Sequence, residues 1–261
     1  MRVTLFTHTR VWQPLHKLTH HNDSVYSVAW NPLGPRLLLS TSGDGTACVF
    51  DEQGTVSRWY RFPAGCFGCS WHPTNPNVFV VGCADHNSYV YDISLENGDA
   101  LLYQLRGHSA RVFHTVWSPR LANTLATGSD DKTIRVWDRL EIDEEAPAAM
   151  PPGRHPAATQ IDNDVDIQDA VSKKKQVTAC RVMNGHVSYV RPVVWHTEIP
   201  HLILSGSWDG TIRLWDARKE GKDANIFTAK GHVADVYVRE RLRELEHNSL
   251  NRSTCTHPNA D

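Results

Sequence analysis

The stretch Gly185-His186-Val-Ser-Tyr-Val-Arg-Pro-Val-Val-Trp195, continued by Leu204-Ser-Gly-Ser-Trp-Asp-Gly-Thr-Ile-Arg-Leu-Trp-Asp216, carries a spacing that recurs along the chain. Asp209 stands fourteen positions after Trp195 and six before Trp215. The same steps join Trp30, Asp44 and Phe50; Trp71, Asp85 and Tyr91; and Trp117, Asp131 and Trp137. In three of these four units a histidine precedes the aspartate by twenty-three positions, as His21, His108 and His186. Apolar residues alternate with polar ones ahead of each tryptophan and each closing aromatic, the period-two pattern of half-buried strands. In the third unit this predicts strands over residues 112–117, 124–127 and 133–137. A fourth, outer strand should precede each following unit, and 57–62, 100–105, 177–182 and 225–229 are the segments that fit.

A unit of about 40 to 45 residues with Gly-His near its start and Trp-Asp near its end encodes one four-stranded propeller blade. Successive key aspartates, Asp44, Asp85, Asp131 and Asp209, stand 41, 46 and 78 residues apart, so the last step is too long for the repeat. The surplus lies between Arg139 and Gln176, where Pro147, Pro151, Pro152 and Pro156 accompany eight acids and one Arg154. Low hydrophobicity, proline and like charge predict a disordered acidic loop over 141–175, open to protease. It interrupts the connection between third and fourth strands, which places it on the face opposite the Gly-His loops.

At the ends the pattern breaks off. Residues 15–18 read as an outer strand of a preceding blade, the N-terminal segment 1–13 as a candidate further strand of that blade, and Gly231-His232-Val-Ala-Asp-Val-Tyr237 opens a fifth unit that stops after one strand. Beyond it, Val238, Leu242 and Leu245 are spaced for a short amphipathic helix in a tail over 239–261. The expectation is an all-β propeller of about four full blades over 14–238, flanked by orphan strands and left open, with unpaired edges that invite self-association.

Composition excludes little else. A chain of 261 residues with 40% apolar content builds a substantial core, and a net charge of -2 gives no reason to expect nucleic acid. Its one basic cluster, Lys173 to Lys175, adjoins the acidic loop. No run reaches the length of a signal peptide or membrane span, so an intracellular protein, cytoplasmic or else nuclear, without membrane partners is expected. The six cysteines are scattered and read as reduced thiols. Cys66-x-x-Cys69 with His72 and Cys83 suggests zinc, but thiols three apart on a strand point to opposite faces, so neither metal nor cofactor is expected.

With Gly107-His108, Trp137-Asp138, Gly185-His186 and Trp215-Asp216 in place, the chain resembles the WD-repeat propeller family over residues 14–238. That resemblance implies one structural hydrogen-bonded set per blade: His186, Ser205, Asp209 and Trp215 in the fourth unit, and His108, Thr127, Asp131 and Trp137 in the third. The first unit retains His21, Ser40 and Asp44 with Phe50 in the Trp position. The second retains only Asp85, beside Phe62, Val81 and Tyr91, and should be the least well pinned. A His/Asp/Ser set recurring blade after blade ties loops to strands and does not form a catalytic triad. No P-loop, dinucleotide fingerprint, H-E-x-x-H or G-x-S-x-G occurs, and no catalytic residue is assigned.

A non-catalytic scaffold for protein or peptide partners is the function this implies. Candidate contacts are Arg111, Tyr189, Asp130 and above all Trp208, expected to face solvent from the turn before the key aspartate, because Trp, Tyr and Arg dominate binding hot spots. Two other readings stand beside it. Trp215-Asp216-Ala217-Arg218 resembles the W-D-x-R motif of substrate receptors of cullin-RING ubiquitin ligases, with Arg218 as the contact, and an RNA- or cytoskeleton-binding module would need a basic stripe.

Overall fold

The computed structural model describes residues 3–7, 13–34, 36–95, 100–142 and 175–232. Strands β1 (Val3–Thr7) and β2 (Gln13–Leu18) form a two-stranded antiparallel sheet. The first blade follows as β3 (Val25–Trp30), β4 (Leu38–Ser42), β5 (Thr46–Phe50) and β6 (Val56–Arg61), paired in that order. The second is β7 (Cys66–Trp71), β8 (Val78–Cys83), β9 (Ser88–Asp92) and β10 (Leu101–Arg106). The third comprises β11 (Val112–Trp117), β12 (Leu125–Ser129) and β13 (Thr133–Trp137); β14 (Lys175–Thr178) then intervenes before its outer strand, β15 (Arg181–Asn184). The fourth is β16 (Val190–Trp195), β17 (Leu202–Ser207), β18 (Thr211–Asp216) and β19 (Asn225–Lys230). The fold is an all-β open propeller, with first strands β3, β7, β11 and β16 succeeding one another along the inside.

Short alternating runs give this architecture because both faces of a blade are covered by neighbours, so β4, β5 and β8 are buried along their whole length. Apolar cores accordingly fall between sheets. Leu39, Ala47 and Val49 of the first blade meet Trp71 and Phe79 of the second. Val80 and Leu105 of the second meet Leu125 and Trp137 of the third, whose Ala126 and Val136 meet Val193 and Trp195 of the fourth. Leu18 of β2 lies with Leu38 and Phe50, as Leu105 lies with Trp137, which identifies β2 as the outer strand of a half-blade ahead of the first.

The turn after each key aspartate adopts a left-handed conformation at its next residue. Gly45 and Gly210 meet this without cost, at φ 79° and 75°, whereas Lys132, at φ 73°, adopts it with a side chain present. The predicted outer strand at 177–182 is corrected. It splits at Ala179-Cys180, where the Cys180 N–H donates to the Val136 carbonyl at 2.9 Å. Its first part, β14, runs parallel to β10 and caps the outer edge of the second blade, and only β15 joins the third. The returning chain thus covers an edge that would otherwise present unpaired backbone. Of the acidic loop predicted over 141–175, Glu141, Ile142 and Lys175 are held: Tyr103 Oη donates to the Glu141 carbonyl at 2.8 Å, Ile142 is buried, and Lys175 pairs with Glu141 at 2.7 Å. Residues 143–174, the remainder of the fifth unit and the predicted tail helix lie outside the described residues. Asn123, in the β11–β12 loop, donates to the Ile142 carbonyl at 3.0 Å, so the loop leaves from the face opposite the Gly-His turns, as predicted.

Candidate protein-binding rim and the hydrogen-bonded sets behind it

Each complete set is a directed relay. In the fourth blade the Trp215 indole N–H donates to Ser205 Oγ at 2.7 Å, so the Ser205 hydroxyl hydrogen is free to donate to His186 Nε2 at 2.8 Å. His186 is then protonated on Nδ1, which donates to Asp209 at 2.8 Å. Asp209 also accepts from Val187 N–H at 3.0 Å, Thr211 N–H at 2.9 Å and the Thr211 hydroxyl at 2.5 Å. Burial pushes His186 below its ordinary pKa, outweighing Asp209, and the neutral ring is what the relay requires. Burial raises the Asp209 carboxyl, but donors from Thr211, Val187 and His186 outweigh it and hold the group at about 2. The third blade repeats the arrangement through His108, Thr127, Asp131 and Trp137. Ser205 and Thr127 are wholly buried, so these sets tie a loop to the second and third strands of the blade and offer no hydroxyl to a substrate.

Departures from the pattern follow from lost members of the set. In the first blade Phe50 supplies no N–H, and His21 sits 3.5 Å from Asp44, reaching Ser40 at 2.6 Å and Thr46 at 2.9 Å instead. In the second blade the usual partners of Asp85 are absent, as expected, and others take their place. Tyr89 Oη donates to it at 2.5 Å and Asn87 donates through its backbone N–H at 3.2 Å and Nδ2 at 3.0 Å. Gln104 then reaches Tyr89 Oη at 3.4 Å. A tyrosine from the third strand has taken over part of what the histidine does elsewhere, a replacement invisible to a search for histidine.

The four candidate contacts converge on one rim. Asp130 accepts from Arg111 at 2.7 Å and from Arg191 at 3.3 Å. The Arg191 guanidinium lies 4.2 Å from the centroid of Trp208 and 4.2 Å from that of Phe113, and Tyr189 stands 5.4 Å from Trp208. Phe113 stacks on Phe67 at 5.0 Å, which meets Tyr26 at 4.8 Å. An aromatic and cationic track therefore crosses all four blades. Asp130 is buried and holds two arginines. Trp208 is half-buried under Arg191 rather than fully solvent-facing, and its buried indole N–H has no hydrogen-bond partner among the described residues. Arg111 and Tyr26 are the exposed members. Sequence reasoning missed Tyr26, Phe67, Phe113 and Arg191, although all four stand eighteen positions before a key aspartate and so share one register. Arg218, by contrast, folds back onto Asp216 in a bidentate pair, at 2.9 and 2.8 Å.

This is the geometry of a WD-repeat propeller, and comparison agrees. Residues 12–51, 99–138 and 177–216 match the family described as WD domain, G-beta repeat. Each match takes the outer strand of one blade with the first three of the next, so the sequence repeat is offset from the sheet by one strand. The second unit, which lost its histidine, serine and tryptophan, is the one left unmatched. The chain thus carries WD40 repeats, units whose general role is non-catalytic protein binding. It is 24% identical to Maintenance of telomere capping protein 5 of Saccharomyces cerevisiae over 74% of its own length and 18% of that protein's. It is also 35% identical to Histone acetyltransferase type B subunit 2 of Aspergillus fumigatus, over 36% of its own length and 23% of that protein's. The chain therefore spans about a fifth of the length of these relatives. No helix among the described residues is long and apolar enough to cross a membrane.

Proposed function

We propose that the chain is a non-catalytic, intracellular scaffold that grips a protein or peptide partner on the rim formed by Arg111, Tyr189, Arg191, Trp208 and the Tyr26–Phe67–Phe113 track. The observation that supports this most is the convergence itself: four blades each contribute an aromatic or arginine to one surface, with Asp130 fixing the two arginines in place. Residue types and clustering are those of interface hot spots. The stretches around His108, Ile199 and His232 resemble those of WD repeat-containing protein 17, which belongs to the same repeat class. One relative is by name a subunit of an acetyltransferase, and work within an assembly is what this reading assigns to the chain. Uncovered blade faces at the ends of the arc favour self-association of the isolated chain.

The ligase-adaptor reading has less support, because Arg218 must leave a bidentate carboxylate before it can reach a partner. The RNA or cytoskeletal reading rests on Lys173 to Lys175, of which Lys175 is engaged with Glu141. The test is co-purification from cells with Arg111→Glu and Trp208→Ala variants, each checked for an unchanged melt. Partner recovery should fall about 10- to 100-fold, the loss on removing a hot-spot residue. Partners retained by both rim variants but lost in Arg218→Ala would overturn the rim in favour of the adaptor reading.

A further inference from the structure

Two guanidiniums share one carboxylate on the rim. Arg111 donates to one oxygen of Asp130 from Nε at 2.9 Å and from Nη2 at 2.7 Å, and Arg191 donates from Nε to the other oxygen at 3.3 Å. The trio thus carries one positive charge in excess. Asp130 lies beneath, its side chain 4% exposed, whereas that of Arg111 is 46% exposed. Aromatic rings form the floor. The Arg111 guanidinium lies 5.8 Å from the centroid of Phe67 and that of Arg191 4.2 Å from Phe113, and these two rings stack on each other. Ring faces attract a cation but leave its charge uncancelled. The excess is therefore held in a half-buried place, where an opposite charge interacts more strongly than in open solvent.

The same geometry decides which partner fits. A partner's lysine or arginine would enter the slot between Phe113 and Trp208, but the chain's own Arg191 fills it, 4.2 Å from each ring centroid. A polyanion fits no better, because one excess charge on a chain of net charge -2 sets up no basic field. A single carboxylate neutralises the trio, whereas a phosphate, at about -1.5 to -2, overshoots it. The Tyr26 ring, 4.8 Å from Phe67 and 6.1 Å from Phe113, is 50% exposed and sets an apolar surface next to the charge. We propose that the rim binds a linear segment of a partner protein in which an aspartate or glutamate stands close to an apolar side chain. The carboxylate accepts from the guanidinium donors of Arg111 and Arg191 that Asp130 does not engage, and the apolar side chain packs on Tyr26. Planar guanidiniums suit this task because their donors match the geometry of a carboxylate. The inference rests on the rim reading above and names the chemistry that its partner carries.

The test is selection of displayed random peptides on the full chain, with a parallel selection on Trp208→Ala, checked by an unchanged melt, to mark the sequences that need the rim. Rim-dependent sequences should carry Asp or Glu close to an apolar residue and be poor in Lys and Arg. Made as synthetic peptides, they should bind about tenfold more weakly once that acid is replaced by Gln, and this difference should vanish in Arg111→Gln. Phosphoserine in place of the acid should not tighten binding. Rim-dependent sequences that lack an acid, that carry Lys or Arg in its place, or that bind more tightly with phosphoserine leave the rim standing and overturn the carboxylate. An acid whose replacement weakens binding equally in Arg111→Gln overturns it too. If no selected sequence loses affinity in Trp208→Ala, the rim reading itself fails, and the proposal with it.

Discussion

Acidification from pH 7 to pH 4 should lower the melting midpoint by 10 °C or more, on the order of the shift expected for several kcal/mol in a chain of this size. Five histidines, His21, His72, His108, His114 and His186, are held by burial below their ordinary pKa of 6.5, His72 and His114 at about 4. In the unfolded chain each takes up a proton near pH 6.5, while in the folded chain it does not. The unfolded state therefore binds more protons as pH falls, and stability drops from pH 6.5 downward, at about 1.4 kcal/mol per pH unit for His72 and for His114 until their folded values near 4 are reached, with His21, His108 and His186 adding in the same direction. Asp44, Asp131 and Asp209 act with the same sign lower down. Their folded pKa values lie below the ordinary 3.8, so the stability they contribute is present above that value and is lost as pH falls toward about 2 for Asp209. Differential scanning calorimetry across this range is the check. A midpoint constant between pH 7 and pH 4.5 would show that the imidazoles titrate in the folded state and are not locked neutral in their relays.

Asp209→Ala should destabilise the protein by about 2 to 4 kcal/mol, because it strands the His186 Nδ1–H, two backbone N–H groups and the Thr211 hydroxyl in a buried site. Asp85→Ala should cost less, about 1 to 2 kcal/mol. Asp85 carries no histidine relay behind it, and Tyr89 keeps Gln104 as a neighbour once the carboxylate is gone. Chemical denaturation of the two variants gives the comparison. Equal losses would mean that the tyrosine network of the second blade has become as strong as the relay it replaced.

The repeat was legible because its register is rigid: tryptophan, aspartate and closing aromatic keep the same steps in all four units, and the period of two fixes which side chains enter the cores. Strand existence, blade count and the side from which the acidic loop leaves all follow from that. Three features did not. The split of 177–182 depends on how a long insertion returns, and β14 pairs with a strand seventy-two residues earlier that no local pattern announces. Tyr89 replaces a histidine from a different strand, so a search at fixed offsets passes over it. The rim was half legible, since Arg111, Tyr189 and Trp208 are conspicuous by residue type, but Arg191, which joins Trp208 to Phe113, sits within an inner strand where an arginine reads as a core exception.

The central claim is that the described blades form an open arc whose leading and trailing faces no other described residues cover. At the leading end Val28 and Trp30 are exposed; at the trailing end Val194, Leu204 and Leu214 are half-buried, where Val116, Ala126 and Val136 of the third blade are buried. Multi-angle light scattering of the isolated chain over a range of concentrations is the most direct test. The account predicts a mass that rises above the 29.4 kDa of one chain as concentration increases. A concentration-independent monomer that melts in one cooperative, salt-insensitive transition would contradict it and favour a compact four-bladed ring.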